Sequence, residues 1–238
     1  METALDTPRP ASWRWRWGEL PPILRTRGPM TQRTRIATLT LSAILLCGIA
    51  LTGLSVDSAS ANGSEANAVV DGIVAYLKGK HADMKEDKLK AVVRTVCDES
   101  QQRDLDYRLA LAVIKVESNF RKDVVSEKGA RGLFQIKPSL ARYIAKDAGV
   151  EWNGTKSLHE PDNNIKLGIY HLSKLVEDFK SLPTALHAYN AGTGKAKALD
   201  RCGDEPKTAY TKRVLREYKK NLSRLPDGDE LEKAARVP

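Results

Sequence analysis

The chain has 238 residues, enough for one sizeable domain plus appendages, and a formal net charge of +9. Residues 1–61 hold seven Lys and Arg against four Asp and Glu, which leaves +6 on the remainder. That surplus fits an anionic polymer or a plainly solvated surface, and the lack, beyond residue 61, of any Lys/Arg cluster interleaved with aromatics argues against nucleic acid.

Residues 1–29 contain Trp13, Trp15 and Trp17, several arginines and the Pro21-Pro22 pair, with no helix or strand period. They read as a non-native extension ahead of a start at Met30, or as a disordered tail. From Met30 the order changes. A short basic stretch (Arg33, Arg35) precedes the uncharged, mostly apolar run Ile36–Val56, and Ser58-Ala59-Ser60-Ala61 follows. Residues 30–61 therefore have the layout of a secretory signal peptide, with a retained membrane anchor as the alternative reading of so long an apolar run. Cys97 and Cys202 lie beyond that segment, and an even count in an exported domain predicts one disulfide between them. Such a link would close a long loop, worth about 4–5 kcal/mol in the chain-entropy model. Neither cysteine has a CxxC or nearby His partner, so no metal site is expected.

Past residue 61 the apolar period is helical almost throughout. Val69, Val70, Ile73, Val74 and Leu77 mark a helix over 66–78; Leu89, Val92, Val93 and Val96 mark another over 86–103. Asp106 reads as the N-cap of a helix over 107–118, with Leu109, Val113 and Val116 as its inward stripe. Pro138 opens a helix through Lys146, Asp162 caps one over 163–179, and Pro183 opens the next, which Gly192 and Gly194 interrupt. An amphipathic helix over 208–222 comes last, before a tail over 223–238 that reads as loose. The strand-like material is confined to Gly132–Ile136. The expected fold is mainly α, with a small β-hairpin beside Glu117.

Glu117 sits at the edge of a buried helix face, where desolvation raises a carboxyl pKa. A glutamate near a helix end is ordinarily a solvated charge, so its company matters. Gly129-Ala130-Arg131-Gly132 bends the chain, and Gln135 then brings an amide back toward the acid. Ala188-Tyr189-Asn190-Ala191-Gly192 adds a phenol and a second amide. A glycosidase ordinarily uses two carboxylates. Asp123 and Glu127 lie beside lysines in an apparent surface loop, and Glu160 and Asp162 read as caps, so one catalytic carboxyl is favoured.

Together these motifs resemble the lytic transglycosylase (SLT) family, whose fold is that of goose-type lysozyme. The matching positions are Glu117-Ser118, Ser126, Gly129-Ala130, Gly132-Leu133, Gln135-Ile136, Pro138, Asn164, Gly168, Leu172 and Ala188–Gly192. The resemblance spans about 104–220 and assigns 104–222 as the catalytic domain, with helices over 62–103 packed on it. Departures are Phe134 and Lys137 where methionines are common, Arg121-Lys122 for Asn-Pro, His171 for a frequent Tyr, and Thr193 for Pro. The resemblance implies a periplasmic, cofactor-free, monomeric enzyme acting on peptidoglycan glycan strands. In that reading Glu117 is acid and then base, while Ser118, Gln135, Tyr189 and Asn190 hold the substrate. The competing readings are a lysozyme that admits water and a silent wall-binding part of an envelope or secretion apparatus.

Overall fold

The computed structural model describes residues 58–79, 84–179, 181–203 and 205–228, all within the compact unit Leu51–Pro238. The expected extension over 1–29 and all but the last four residues of the segment over 30–61 lie outside the described residues. Among the described residues the structure is helical, with no sheet. The helices are α1 (Ser58–Gly79), α2 (Glu86–Gln102), α3 (Tyr107–Ser118), α4 (Pro138–Ile144), α5 (Pro161–Asp178), α6 (Leu182–Ala191), α7 (Thr193–Arg201) and α8 (Ala209–Leu222). A 3-10 turn, Thr155–His159, precedes α5. No described helix is long and apolar enough to cross a membrane.

α3 is the axis of the core. Every residue from Tyr107 to Ile114 is buried, so the expected one-sided stripe is replaced by burial all round. The reason is that α2 packs on one side of α3 and α8 along another. Each fully buried Leu, Ile or Val here contributes roughly 1.5–3 kcal/mol. Ile73, Val74 and Leu77 of α1 and Leu89, Val93 and Val96 of α2 extend the same core. A smaller cluster of Leu175, Phe179, Ala185, Ala188 and Ala196 joins α5, α6 and α7.

α3 and α8 run antiparallel and are stitched by polar links. Asp106 caps α3 by accepting from the Arg108 backbone N–H at 2.8 Å, pairs with the Arg108 guanidinium at 3.0 Å, and accepts from Tyr218 Oη at 2.7 Å. Asn221 donates to the Arg108 carbonyl at 2.9 Å, and Tyr107 Oη donates to the Pro226 carbonyl at 2.6 Å. With Leu225 buried as well, the first residues after α8 are docked rather than loose, which corrects the tail reading over 223–226.

Three other expectations change. The stretch after Ser126 is not a hairpin of strands: it makes two isolated antiparallel bridges, Val125 with Arg131 and Arg131 with Ile136. Turns at Gly129 (φ 75°), Gly132 (φ 76°) and Gln135 (φ 50°) follow so closely that no run of paired residues fits between them. The expected disulfide is absent: both thiols are free, Cys97 half-buried on α2 and Cys202 exposed just after α7. Their helices serve different neighbourhoods, since Cys97 packs on the main core and α7 packs on α6. Asp162 is not a cap either. α5 starts at Pro161, two residues earlier than expected, and the Asp162 carboxylate accepts from Thr95 Oγ1 at 3.0 Å.

Candidate active site

Glu117 occupies the last turn of α3. The helix is ended by Asn119 in the left-handed region (φ 52°), followed by Phe120 at φ 62° with its ring buried. Two successive non-glycine residues at positive φ are costly, about 1–3 kcal/mol each, and are held here by the core packing of Phe120. The result is a sharp exit that leaves the Glu117 carboxyl at the helix end, half-buried. Burial holds its pKa above the ordinary carboxyl value. Two effects oppose that shift: Tyr210 Oη donates to Glu117 Oε1 at 2.7 Å, and the Arg213 cation acts on it through space.

Tyr210, at the start of α8, was not singled out by sequence reasoning. Its signal was weak but present, because it shares the buried stripe of an amphipathic helix with Val214 and Asn221. Burial, and then the neighbouring Glu117 carboxylate, keep its phenol firmly protonated. Tyr189 feels the same carboxylate and is likewise held protonated, chiefly by burial. Its Oη donates to the Phe134 carbonyl at 2.7 Å, which ties α6 to the glycine-rich loop. Glu117, Tyr189 and Tyr210 thus share one electrostatic neighbourhood. The His171 ring lies against Tyr189 at 5.3 Å between centroids, and burial lowers its pKa to about 4, so it is neutral near pH 7.

The glycine-rich loop that carries Gln135 is braced from α5. Asn164, 1% exposed, accepts from the Phe134 N–H at 2.8 Å and donates to the carbonyls of Arg131 (3.0 Å) and Leu158 (2.9 Å). One turn later, Gly168 leaves room for the Phe134 ring; a Cβ there would lie 2.1 Å from Phe134 Cγ. Gly132 is equally constrained, since a Cβ would come within 2.4 Å of the Leu158 carbonyl oxygen. Asn164 and Gly168 therefore build the wall that carries Gln135.

The other sequence candidates divide. Gln135 is half-buried, and its Nε2 donates to the carbonyls of Val124 (3.1 Å) and Gly132 (3.0 Å), so both amide hydrogens are used within its own loop. Asn190 is exposed at the end of α6. Ser118 does not fit the expected role. It is 2% exposed and its hydroxyl donates to Ile114 of its own helix at 3.2 Å, as buried helical serines commonly do. Asp123 and Glu127 are both exposed, and Asp123 pairs with Lys122.

Residues 95–210 match the family model described as the transglycosylase SLT domain. The chain is 33% identical over 97 residues to the soluble lytic murein transglycosylase of Salmonella typhimurium, covering 40% of this chain and 15% of that protein. It is 33% identical over 132 residues to the membrane-bound lytic murein transglycosylase C of Sodalis glossinidius, covering 51% of this chain and 36% of the relative. The matched segment is thus a minor part of each relative's length. Its fold is similar to that of the 70 kDa soluble lytic transglycosylase of Escherichia coli, with a TM-score of 0.52 and 20% identity over 74% of this chain and 32% of that one.

Proposed function

We propose that this protein is a lytic transglycosylase that cleaves the β-1,4 bond between N-acetylmuramic acid and N-acetylglucosamine in peptidoglycan. The observation that carries the reading is the Glu117 carboxyl: half-buried, raised in pKa, and held through one oxygen by Tyr210. The relatives named as lytic murein transglycosylases support the substrate class.

Tyr210 occupies Oε1, which leaves Oε2 to carry the proton. Protonated Glu117 gives that proton to the glycosidic oxygen as the bond to C1 of the muramic sugar breaks, and the substrate's N-acetyl carbonyl stabilises the cation. The ionised Glu117 then takes the proton from the C6 hydroxyl, whose oxygen bonds to C1. The product is a 1,6-anhydro sugar and no water is consumed. A single carboxyl suffices because the sugar supplies the nucleophile; Asp123 and Glu127 are solvated and take no part.

In this reading the Gln135 amide oxygen accepts from the substrate's amide or hydroxyl, and Asn190 presents its amide at the rim. Tyr189 positions the loop through Phe134, and Ser118 is structural. The goose-type lysozyme fold, residues 104–222 as catalytic domain and export to the periplasm through residues 30–61 belong to the same proposal. Purified sacculi digested with wild type and with Glu117→Gln test it. Anhydromuramoyl products, lighter by one water than hydrolysis products, are expected from wild type alone. Hydrated ends would make the protein a muramidase, and no release from wild type would make it a binding component.

A further inference from the structure

The outer face of α8 has no part in the chemistry so far, and its composition is one-sided. Beyond Ala209, the exposed positions of this helix are Lys212, Arg213, Arg216, Lys219 and Lys220, and all five are cationic. At 100° per residue they fill one continuous arc opposite the buried Tyr210, Thr211, Val214 and Asn221. The helix has one acid, half-buried Glu217, and it pairs with Lys220 at 2.7 Å. Lys212, Arg216 and Lys219 form no ion pair among the described residues. A helix that merely needed solubility would mix both signs and use pairs three and four residues apart.

The ridge starts at the active site. Arg213 lies near enough to the Glu117 carboxyl to lower its pKa, and Tyr210, one turn before Val214, holds that carboxyl directly. The cations run from Lys212 to Lys220, about 12 Å along the helix axis. A bilayer is the poorer partner, because interfacial helices bury an apolar face in the lipid and the apolar face of α8 is already inside the core.

We infer that the cationic ridge of α8 is a docking track for the carboxylate-bearing peptide stems of the glycan strand being cut. The inference rests on the reading of Glu117 above and adds the anionic part of the substrate to it. Arg and Lys side chains at successive turns meet carboxylates by charge-assisted bonds, and a track of them holds the strand while successive bonds are presented.

The test uses the full chain with Glu117→Gln, which holds wall without cutting it, sedimented with purified sacculi across a salt series. Adding Lys212→Gln, Arg216→Gln and Lys219→Gln should weaken binding about tenfold at low salt, the combined effect of three exposed pairs, and flatten the salt dependence. Sacculi stripped of peptide stems by an amidase should bind parent and triple variant alike. Equal binding of parent and variant to intact sacculi overturns the track, as does tighter binding of the ridge to phosphatidylglycerol vesicles than to sacculi. The site reading fails separately: if wild type releases no anhydro product, Glu117 is misassigned whatever the ridge binds.

Discussion

The two walls of the candidate site are built by different physics. On one side, α3 and α8 are joined by directed polar links, from Tyr218 on Asp106 at one end to Tyr210 on Glu117 at the other. On the other side, the glycine-rich loop is seated on α5 by the hydrogen bonds of buried Asn164 and, above all, by close fit, with Gly132 and Gly168 giving way to Leu158, Asn164 and Phe134. Hydrogen bonds weaken by degrees and respond to pH; a missing Cβ is present or absent. The first wall is therefore tunable, and the second tolerates almost no change.

The largest effect tests whether the polar wall carries the chemistry. Glu117→Gln should lower the rate of sacculus digestion by at least about 10²-fold, as loss of general acid–base catalysis does, with the fold intact by circular dichroism. The same substitution should also stabilise the protein as pH rises. A carboxyl whose folded pKa is raised binds more protons folded than unfolded, so its cost to stability appears above the ordinary carboxyl pKa and grows toward the raised value. Thermal melting at pH 8 should show Glu117→Gln above wild type, and melting at pH 4 should show little difference.

The steric wall comes next. Gly132→Ala would meet a backbone carbonyl and a positive φ together, and Gly168→Ala would drive into the Phe134 ring, so each should cost about 3 kcal/mol or fail to fold, seen as a large fall in Tm. Asn164→Ala should cost about 2–4 kcal/mol, since it leaves buried backbone groups at Phe134, Arg131 and Leu158 without partners. If these three variants melt like wild type, the contrast between the walls is wrong.

The smallest effect sharpens the contrast. Tyr210→Phe removes a donor that favours ionised Glu117, so the acid's pKa should rise further and the alkaline limb of kcat/KM should move to higher pH. Stability should fall by only about 0.5–1.5 kcal/mol, the net worth of one hydrogen bond. An unmoved pH profile would mean that Tyr210 does not act on the proton of Glu117.

Local pattern determined a good deal of this protein. Asp106 as the cap of α3, Pro138 and Pro183 in the first turns of their helices, Thr208 before α8, and the isolation of Glu117 from other useful carboxyls all follow from neighbours in the chain. These features depend on backbone groups a few residues apart, which is the range over which caps, prolines and periodicity act. Motif spacing likewise brought Glu117, Gln135 and Tyr189 forward before any fold was known. What tertiary structure decided is which side of each side chain is used. Ser118 turns into its own helix, the Gln135 nitrogen is consumed by its loop, and Cys97 and Cys202 stay apart because their helices pack on different partners. Tyr210 reaches Glu117 across 93 positions of sequence. No periodicity reports such a contact, because it depends on how α8 lies along α3, and that is set by the packing of the whole core.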